Sequence, residues 1–281
     1  MDAKHQESIG FRHFLKLQNL EIVHGLNVSH HFSRHLHKSL IVGIIENGAR
    51  ECQYQGATCF IPSGSVFVIN QGEVHACRPI TDGTHSYRIL CIDSQALHWI
   101  TSEFAGSIRT KPFFRDLVIQ DRQLYQKILR LCLALDDLIS TLDKEDRLLS
   151  LLTYLIVNHA VDTPDWHPLG KERSAVKLAR EYIEEHCLDD ISINHLASIS
   201  LLSPYHLMRV FRKEVGIPPH AYQSHMRIKN ARKLLSEGMS ITDVASATGY
   251  VDQTHFTRVF KQLLGITPGM FSKANRDGIR S

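Results

Sequence analysis

No run of about 18 apolar residues occurs anywhere in the 281-residue sequence, so nothing in it reads as a membrane-spanning helix. The opening residues, MDAKHQESIGFRHF, lack the short apolar core of a secretory signal, and a cytoplasmic address is the expectation. Cysteine is sparse. Cys52, Cys59, Cys77, Cys91, Cys132 and Cys187 form no CxxC pair and no framework spacing. They read as small buried hydrophobes rather than as disulfides or thiolate ligands. A dominant charge sign is also missing, since the net charge is only +3. The small excess is uneven, however. From Ser174 onward there are 14 Lys+Arg against 10 Asp+Glu, and before it 18 against 19. A mildly basic C-terminal third suggests a polyanionic partner there.

The length suffices for two domains, each with its own core. Between about residues 30 and 95, short β-branched runs alternate with Gly, Pro, Asn and Asp. SLIVGIIENG, ATCFIPSG, SVFVINQGEVH and SYRILCID read as strands closed by turns, which predicts a small all-β barrel or sandwich. From about 121 to 160 the period changes. Leu124, Ile128, Leu131, Leu135, Leu138 and Leu142 recur at three- and four-residue steps, predicting two helices joined by a turn around Asp143. Their apolar faces suit either packing on the barrel or pairing with a second copy. Residues 161–173, with two Pro and a Gly, have the composition of a linker between a first domain at 1–160 and a second at 174–281.

The second domain repeats itself. HLMRVFRKEVGIPP begins at His206 and HFTRVFKQLLGITP at His255, and seven of the fourteen positions are identical. In the first copy Ser203 suits an N-cap, Pro204 the first helical turn and Gly216 a left-handed C-cap, while Leu207, Val210 and Phe211 face inward. Ser192 caps a shorter helix just upstream, giving a helix-turn-helix. In the second copy Ser240 and Asp252 supply the caps, Gly249 the turn, and Phe256, Val259 and Phe260 the inward stripe. One helix of about 17 residues, roughly 25 Å long, joins the copies.

The outward faces carry the chemistry. Tyr205, Met208, Arg209 and Arg212 share a face in the first copy, with His206 beside them. Thr254, Thr257, Arg258 and Lys261 share it in the second, with Gln253 at the N-terminus. In a DNA major groove Arg can fork onto guanine, Gln onto adenine, and Thr or an apolar group can touch a thymine methyl. Arg212 and Lys261, further along, suit phosphates. Either face alone reads equally well as solvated surface, and Arg209 and Arg258 also suit structural ion pairs. Two capped copies with Arg at one offset favour DNA reading.

These residues closely resemble the DNA-binding domain of AraC/XylS-type transcription regulators, above all in GYVDQTHFTRVFKQLLGITPGMF. The resemblance covers roughly a hundred residues. It implies two helix-turn-helix units reading successive major-groove faces about one helical turn (~34 Å) apart. It further implies double-stranded operator DNA and RNA polymerase as partners. Two departures stand out. Val251 occupies a position where a small polar cap is usual, and Leu201 stands where the second unit has Gly249.

SRHLHKSLIVGIIENG and IPSGSVFVINQGEVHACRP resemble the cupin-like effector domain fused to many members of that family. This implies an α+β multidomain protein: an N-terminal jelly-roll barrel with a helical pair, then an all-α double helix-turn-helix. A small-molecule effector in the barrel and a homodimer through 121–160 belong to the same expectation, with no catalytic residue and no cofactor. His35 and His37 lie two apart on a strand and share a face. With His75 they form a candidate polar effector pocket, a three-imidazole metal site, or a set of strand-end histidines satisfied by backbone. Metal-dependent cupin enzymes would add a Glu shortly after His37, where this chain has Lys38, Ser39, Leu40, Ile41 and Val42. A metal-dependent enzyme or metal sensor carrying a DNA-binding module is therefore the alternative. Arg34, Arg88 and Tyr87 are further candidates for an acidic or hydroxylated effector.

Overall fold

The computed structural model of the chain describes residues 7–15, 17–80, 83–101, 104–105, 112–137, 139–161, 165–166 and 172–278. The chain divides into two compact units. One comprises Met1–Leu133 with Arg147–His167, the other Ala134–Asp146 with Pro168–Ser281. The expected first-domain range of 1–160 is thus interrupted, because residues 134–146 pack with the second unit. Most of the expected linker at 161–173 lies outside the described residues.

The first unit is built on two antiparallel sheets. Strands β1 (Ser8–Phe14), β2 (Leu20–Val28), β3 (Phe32–His35), β4 (Leu40–Asn47), β5 (Ala49–Tyr54), β6 (Ala57–Pro62), β7 (Val66–Ile69), β8 (His75–Pro79) and β9 (His85–Ile92) come first. Helix α1 (Ser94–Thr101), the short strands β10 (Phe104–Ala105) and β11 (Val118–Ile119), helices α2 (Arg122–Asp136) and α3 (Thr141–His159) and strand β12 (Asp165–Trp166) follow. One sheet runs β1-β2-β9-β4-β7-β11 and the other β3-β8-β5-β6. Central strand β4, LIVGIIEN, is buried over its first six residues, as a strand covered on both faces must be. A shared core draws on both sheets: Val23, Ile41, Phe67 and Tyr87 from one, Cys52, Tyr54, Ile61 and Cys77 from the other.

Two expectations need correction. The barrel starts near residue 8 rather than 30, because β1 and β2 pair over seven residues from Ser8↔Leu26 to Phe14↔Leu20. The turn between the helical pair lies before Thr141 and not at Asp143. Ser140 Oγ accepts from Asp143 N–H at 3.2 Å, so Ser140 caps α3 and pulls Asp143 into its first turn. Most apolar residues of both helices, including Leu124, Ile128, Leu131, Leu152, Leu155 and Ile156, are buried within the chain, whereas Leu133 is exposed and Leu138 lies outside the described residues.

The second unit is helical: α4 (Arg173–Glu185), α5 (Ile193–Ser200), α6 (Pro204–Val215), α7 (Pro219–Ser236), α8 (Ile241–Ala247), α9 (Gln253–Leu264) and α10 (Pro268–Gly278). The spacer helix between the two repeats is α7, 18 residues long, about 27 Å at 1.5 Å per residue. Around the second repeat, Ile228, Ala231 and Leu235 of α7 share a core with Val244, Ala245, Phe256 and Phe260. Among the described residues no helix is long and apolar enough to cross a membrane.

Candidate functional site

The two repeats fold as the cap chemistry dictates. Ser203 Oγ accepts from His206 N–H at 3.1 Å, Pro204 opens α6, and Gly216 closes it with φ 87°. Asp252, standing after Val251, accepts from His255 N–H at 2.7 Å, and Gly265 closes α9 with φ 77°. The upstream helices are capped by Ser192 and Ser240. The different residues at the two turns do not make differently handed turns. Leu201 has φ 53° and Gly249 φ 75°, so both are left-handed. Leu201 carries the local cost of a left-handed L residue, and its side chain, 90% exposed, adds no clash with neighbouring elements. A Cβ on Gly249 would lie 2.4 Å from Leu188 O, so glycine is required there.

The outward faces of α6 and α9 differ. On α9, Gln253, Thr254, Arg258 and Lys261 are exposed and Thr257 half-buried, while Phe256 and Phe260 are fully buried. Gln253 Oε1 accepts from Thr242 Oγ at 2.8 Å, and Arg258 Nη1 lies 3.2 Å from Asp137 Oδ2. On α6, Tyr205 and Met208 were expected to face outward, and both are buried, 7% exposed. The buried arc runs on from Val210, Leu207 and Phe211 through Met208 to Tyr205, roughly 220° of the helix at 100° per residue. Large, largely apolar side chains at the edge of a stripe extend it, whereas Thr254 and Thr257 at the matching positions of α9 do not. Arg209 lies with its guanidinium carbon 5.6 Å from the Tyr205 ring centroid, and Arg212 is exposed. His206 is half-buried, its Nε2 3.8 Å from Glu172 Oε1.

Arg227 escaped the sequence reading. From α7 its Nε donates to Cys187 O at 2.6 Å, Nη1 to Gly249 O at 2.9 Å and Nη2 to Asp189 O at 2.8 Å. One buried guanidinium thus ties the loop after α4 to the turn between α8 and α9. Residues 137–146 add further ties within this unit. Glu145 Oε2 accepts from Ile193 N–H at 2.7 Å, Asp190 Oδ2 from Thr141 Oγ at 3.0 Å, and His220 lies between Asp143 and Asp146. Burial pushes the Glu145 carboxyl up to about 8 despite the Ile193 hydrogen bond.

In the first unit, a cavity of about 140 Å³ opens between the two sheets. His35, His37 and His75 all line it, and their nearest ring nitrogens lie within 4.8 Å of one another. Register explains the convergence: His35 stands opposite His75, and Tyr54 flanks His75 on the other side. His35 Nδ1 is 2.6 Å from Ser33 O and His75 Nδ1 is 3.2 Å from Glu73 O. Carbonyls only accept, so both Nδ1 atoms donate and both Nε2 lone pairs are presented to the cluster. Burial pushes His75 down to about 4 and is the main cause that lowers His37. Two of the rings are thereby held neutral near pH 7, in the form that binds metal.

Donors of a tetrahedral ion with ~2.1 Å bonds stand ~3.4 Å apart, so the widest separation in this cluster must close by up to about 1.4 Å. Glu21 of β2 also lines the cavity and its charge acts on His37, but the close ligand group consists of the three histidines alone. Arg34 does not belong to this site. It is exposed, because it neighbours inward-facing His35 and strand side chains alternate. Arg88 pairs with Glu46 at 2.9 Å and is absent from the cavity lining, whereas Tyr87 lines it. Sequence reasoning missed Arg50, which lines the cavity from β5 and is 3% exposed. The signal was the alternation of Arg50, Cys52 and Tyr54 in a stretch too polar to attract a strand assignment.

Residues 20–152 match the profile of an AraC-like ligand binding domain, and residues 196–274 that of a helix-turn-helix domain. An uncharacterized HTH-type transcriptional regulator of Bacillus subtilis, YbfI, is 31% identical over 224 residues, 80% of this chain and 81% of that protein. The arabinose operon regulatory protein of Salmonella typhimurium is 35% identical over 126 residues, 44% of each chain. Its Escherichia coli counterpart is 37% identical over 107 residues, 37% of this chain and 36% of its own. These two matches span less than half of either regulator. The solved C-terminal domain of AraT, a response regulator from Geobacillus stearothermophilus, is 27% identical, covering 38% of this chain and 88% of that one with a TM-score of 0.35. The paired capped repeats, the barrel before them and the near full-length likeness to YbfI converge on one statement: the chain belongs to the AraC-type family of transcriptional regulators, with a ligand-binding domain ahead of a DNA-binding helix-turn-helix domain.

Proposed function

We propose that the protein binds operator DNA sequence-specifically through both helix-turn-helix units and that a small molecule in the barrel cavity controls this binding. The observation that carries the reading is the N-terminal face of α9, where Gln253, Thr254, Thr257 and Arg258 stand on a capped helix whose other side is locked by Phe256 and Phe260. Gln253 and Arg258 have the donor and acceptor geometry for adenine and guanine edges, and the two threonines suit thymine methyls. Lys261 and Arg212 take phosphates. The first unit contributes Arg209, with Tyr205 and Met208 shaping the helix rather than touching bases. His35, His37 and His75 line the effector pocket. Contacts with RNA polymerase, activation as the output, a cytoplasmic location and a homodimer through the exposed remainder of α2, where Leu133 is open, belong to the same reading.

Selection of bound duplexes from a random pool by the full chain tests it. Enrichment of a two-part site, its halves about one helical turn apart, is the expected result. An unenriched pool would overturn it.

A second reading, a metal-responsive regulator, is favoured by the convergence of three imidazoles beside Glu21. It requires stoichiometric transition metal by elemental analysis and DNA affinity that changes when metal is added. A metal-dependent enzyme would use the same ligands, but the family relatives are regulators and no catalytic role is needed.

A further inference from the structure

The barrel interior is layered. Glu21, Cys91, Ile41 and Ile69 stand opposite one another in one row, Val23, Ile89, Gly43 and Phe67 in the next, and Gly25, Tyr87 and Ile45 in a third. Two glycines let aromatic rings lie across the barrel. A Cβ would sit 2.5 Å from the Tyr87 ring at Gly25 and 2.3 Å from the Phe67 ring at Gly43.

Arg50 enters this third layer from the facing sheet. Its guanidinium carbon lies 4.5 Å from the Tyr87 ring centroid and 5.5 Å from those of Phe32 and Phe67. Its Nε donates to His85 Nε2 at 3.2 Å. Burial, then the charge of Arg50, pushes His85 down to about 4, so it accepts as a neutral ring. Among the described residues no carboxylate lies within ion-pair distance of Arg50. Glu7, whose charge reaches His85 and Tyr87, is at the surface with its carboxylate bonded to Ser29 Oγ at 2.6 Å. A guanidinium cannot shed its proton, and a buried charge faced only by neutral groups is costly. Here that charge lines a cavity whose apolar walls include Val23, Phe32, Phe67 and Ile89. At the opposite end stand Glu21, whose carboxylate lies 2.9 Å from His13 Nε2, and the three histidines.

We propose that the cavity takes a small monocarboxylate, its head group on Arg50 and its apolar body among Val23, Phe32, Phe67 and Ile89. A dry cavity of about 150 Å³ holds benzene, so about 140 Å³ suits a body of roughly six carbons. Glu21 turns away a second carboxylate at the far end. This inference rests on the reading of the barrel as the effector domain, and it names the effector class.

The test uses the full chain, treated with chelator, in thermal-shift and calorimetric titrations. The probes are benzoate and hexanoate, their neutral amides, and adipate. Benzoate or hexanoate is expected to raise the first unit's melting temperature and to bind at least about tenfold more tightly than its amide or than adipate. Arg50→Met should abolish that preference, and without ligand it should melt no lower than the parent, because it removes an unpaired buried charge. Amides binding as well as acids, retention of acid binding by Arg50→Met, or a ligand-free Arg50→Met chain that melts well below the parent would overturn the Arg50 assignment. In the first of these outcomes the barrel is still an effector pocket. Should none of the five probes bind, the monocarboxylate inference is wrong, and a wider panel of neutral and cationic compounds then decides separately whether the barrel binds effectors at all.

Discussion

Arg258 Nη1 lies 3.2 Å from Asp137 Oδ2, so the arginine best placed to read a base from α9 is held by a carboxylate from the end of α2. Both side chains are about half exposed, and such a pair contributes little to stability, at most about 1 kcal/mol. On the proposed reading of α9 its consequence lies in binding, because Asp137 would compete with DNA for the same guanidinium.

Asp137→Asn is therefore expected to leave the melting temperature nearly unchanged while tightening DNA binding severalfold. Fluorescence anisotropy at two salt concentrations checks this. Weaker binding by the variant would place Asp137 in the DNA-competent arrangement instead.

Glu145 sets a pH dependence for the second unit. Its folded pKa, about 8, lies above the ordinary 4.5. The folded chain thus keeps a proton that the unfolded chain releases. This contribution to stability is complete below about pH 4.5 and is lost as pH rises through 8. Glu145→Gln keeps an acceptor for Ile193 N–H and should remove the decline, so that the parent loses about 2 kcal/mol relative to the variant between pH 6 and pH 8. Parallel urea curves for parent and variant between pH 6 and 8 would contradict this.

His85 acts in the opposite sense in the barrel. Its folded pKa, about 4, lies below the ordinary 6.5. Its contribution is full above pH 6.5 and is lost as pH falls through 4. His85→Gln preserves an acceptor for Arg50 and should flatten the acid side of the first unit's stability profile, read by near-ultraviolet circular dichroism. An unchanged acid limb would assign the loss to other groups.

Arg227→Lys tests the tie between the loop after α4 and the turn before α9. A single ammonium cannot reach the carbonyls of Cys187, Asp189 and Gly249 together. The expected cost is about 3 kcal/mol, with backbone amides near Gly249 exchanging faster in hydrogen exchange. A loss below about 0.5 kcal/mol would mean that the buried guanidinium is dispensable.

Much of the second unit was legible because caps are local. Ser203 with Pro204, Asp252 after Val251, and the closing glycines Gly216 and Gly265 announce their helices in four or five letters. Tyr205 and Met208 were misread because the width of a buried stripe depends on what packs against it, which periodicity does not report. Arg227 was invisible for a related reason: its three carbonyl partners come from 22 to 40 residues away. In the barrel, the shared face of His35 and His37 followed from two-residue spacing. Joining them to Glu21 and Arg50 required the register of β2 against β9 and of β5 against β8. No short-range pattern encodes that register. Strand β5, ARECQY, was missed because its outward residues are polar while its inward ones are Arg, Cys and Tyr.

Base reading by Arg258 and backbone holding by Lys261 are the core of the proposed DNA recognition by α9. Duplex selection followed by salt-dependent affinity, run side by side on the parent, Arg258→Ala and Lys261→Ala, tests it most directly. Arg258→Ala should cost about 1–3 kcal/mol and flatten preference at one position of the selected site, while Lys261→Ala should weaken all sequences alike and lower the salt slope by about 1. Selection of the same site with undiminished affinity by Arg258→Ala would contradict the account.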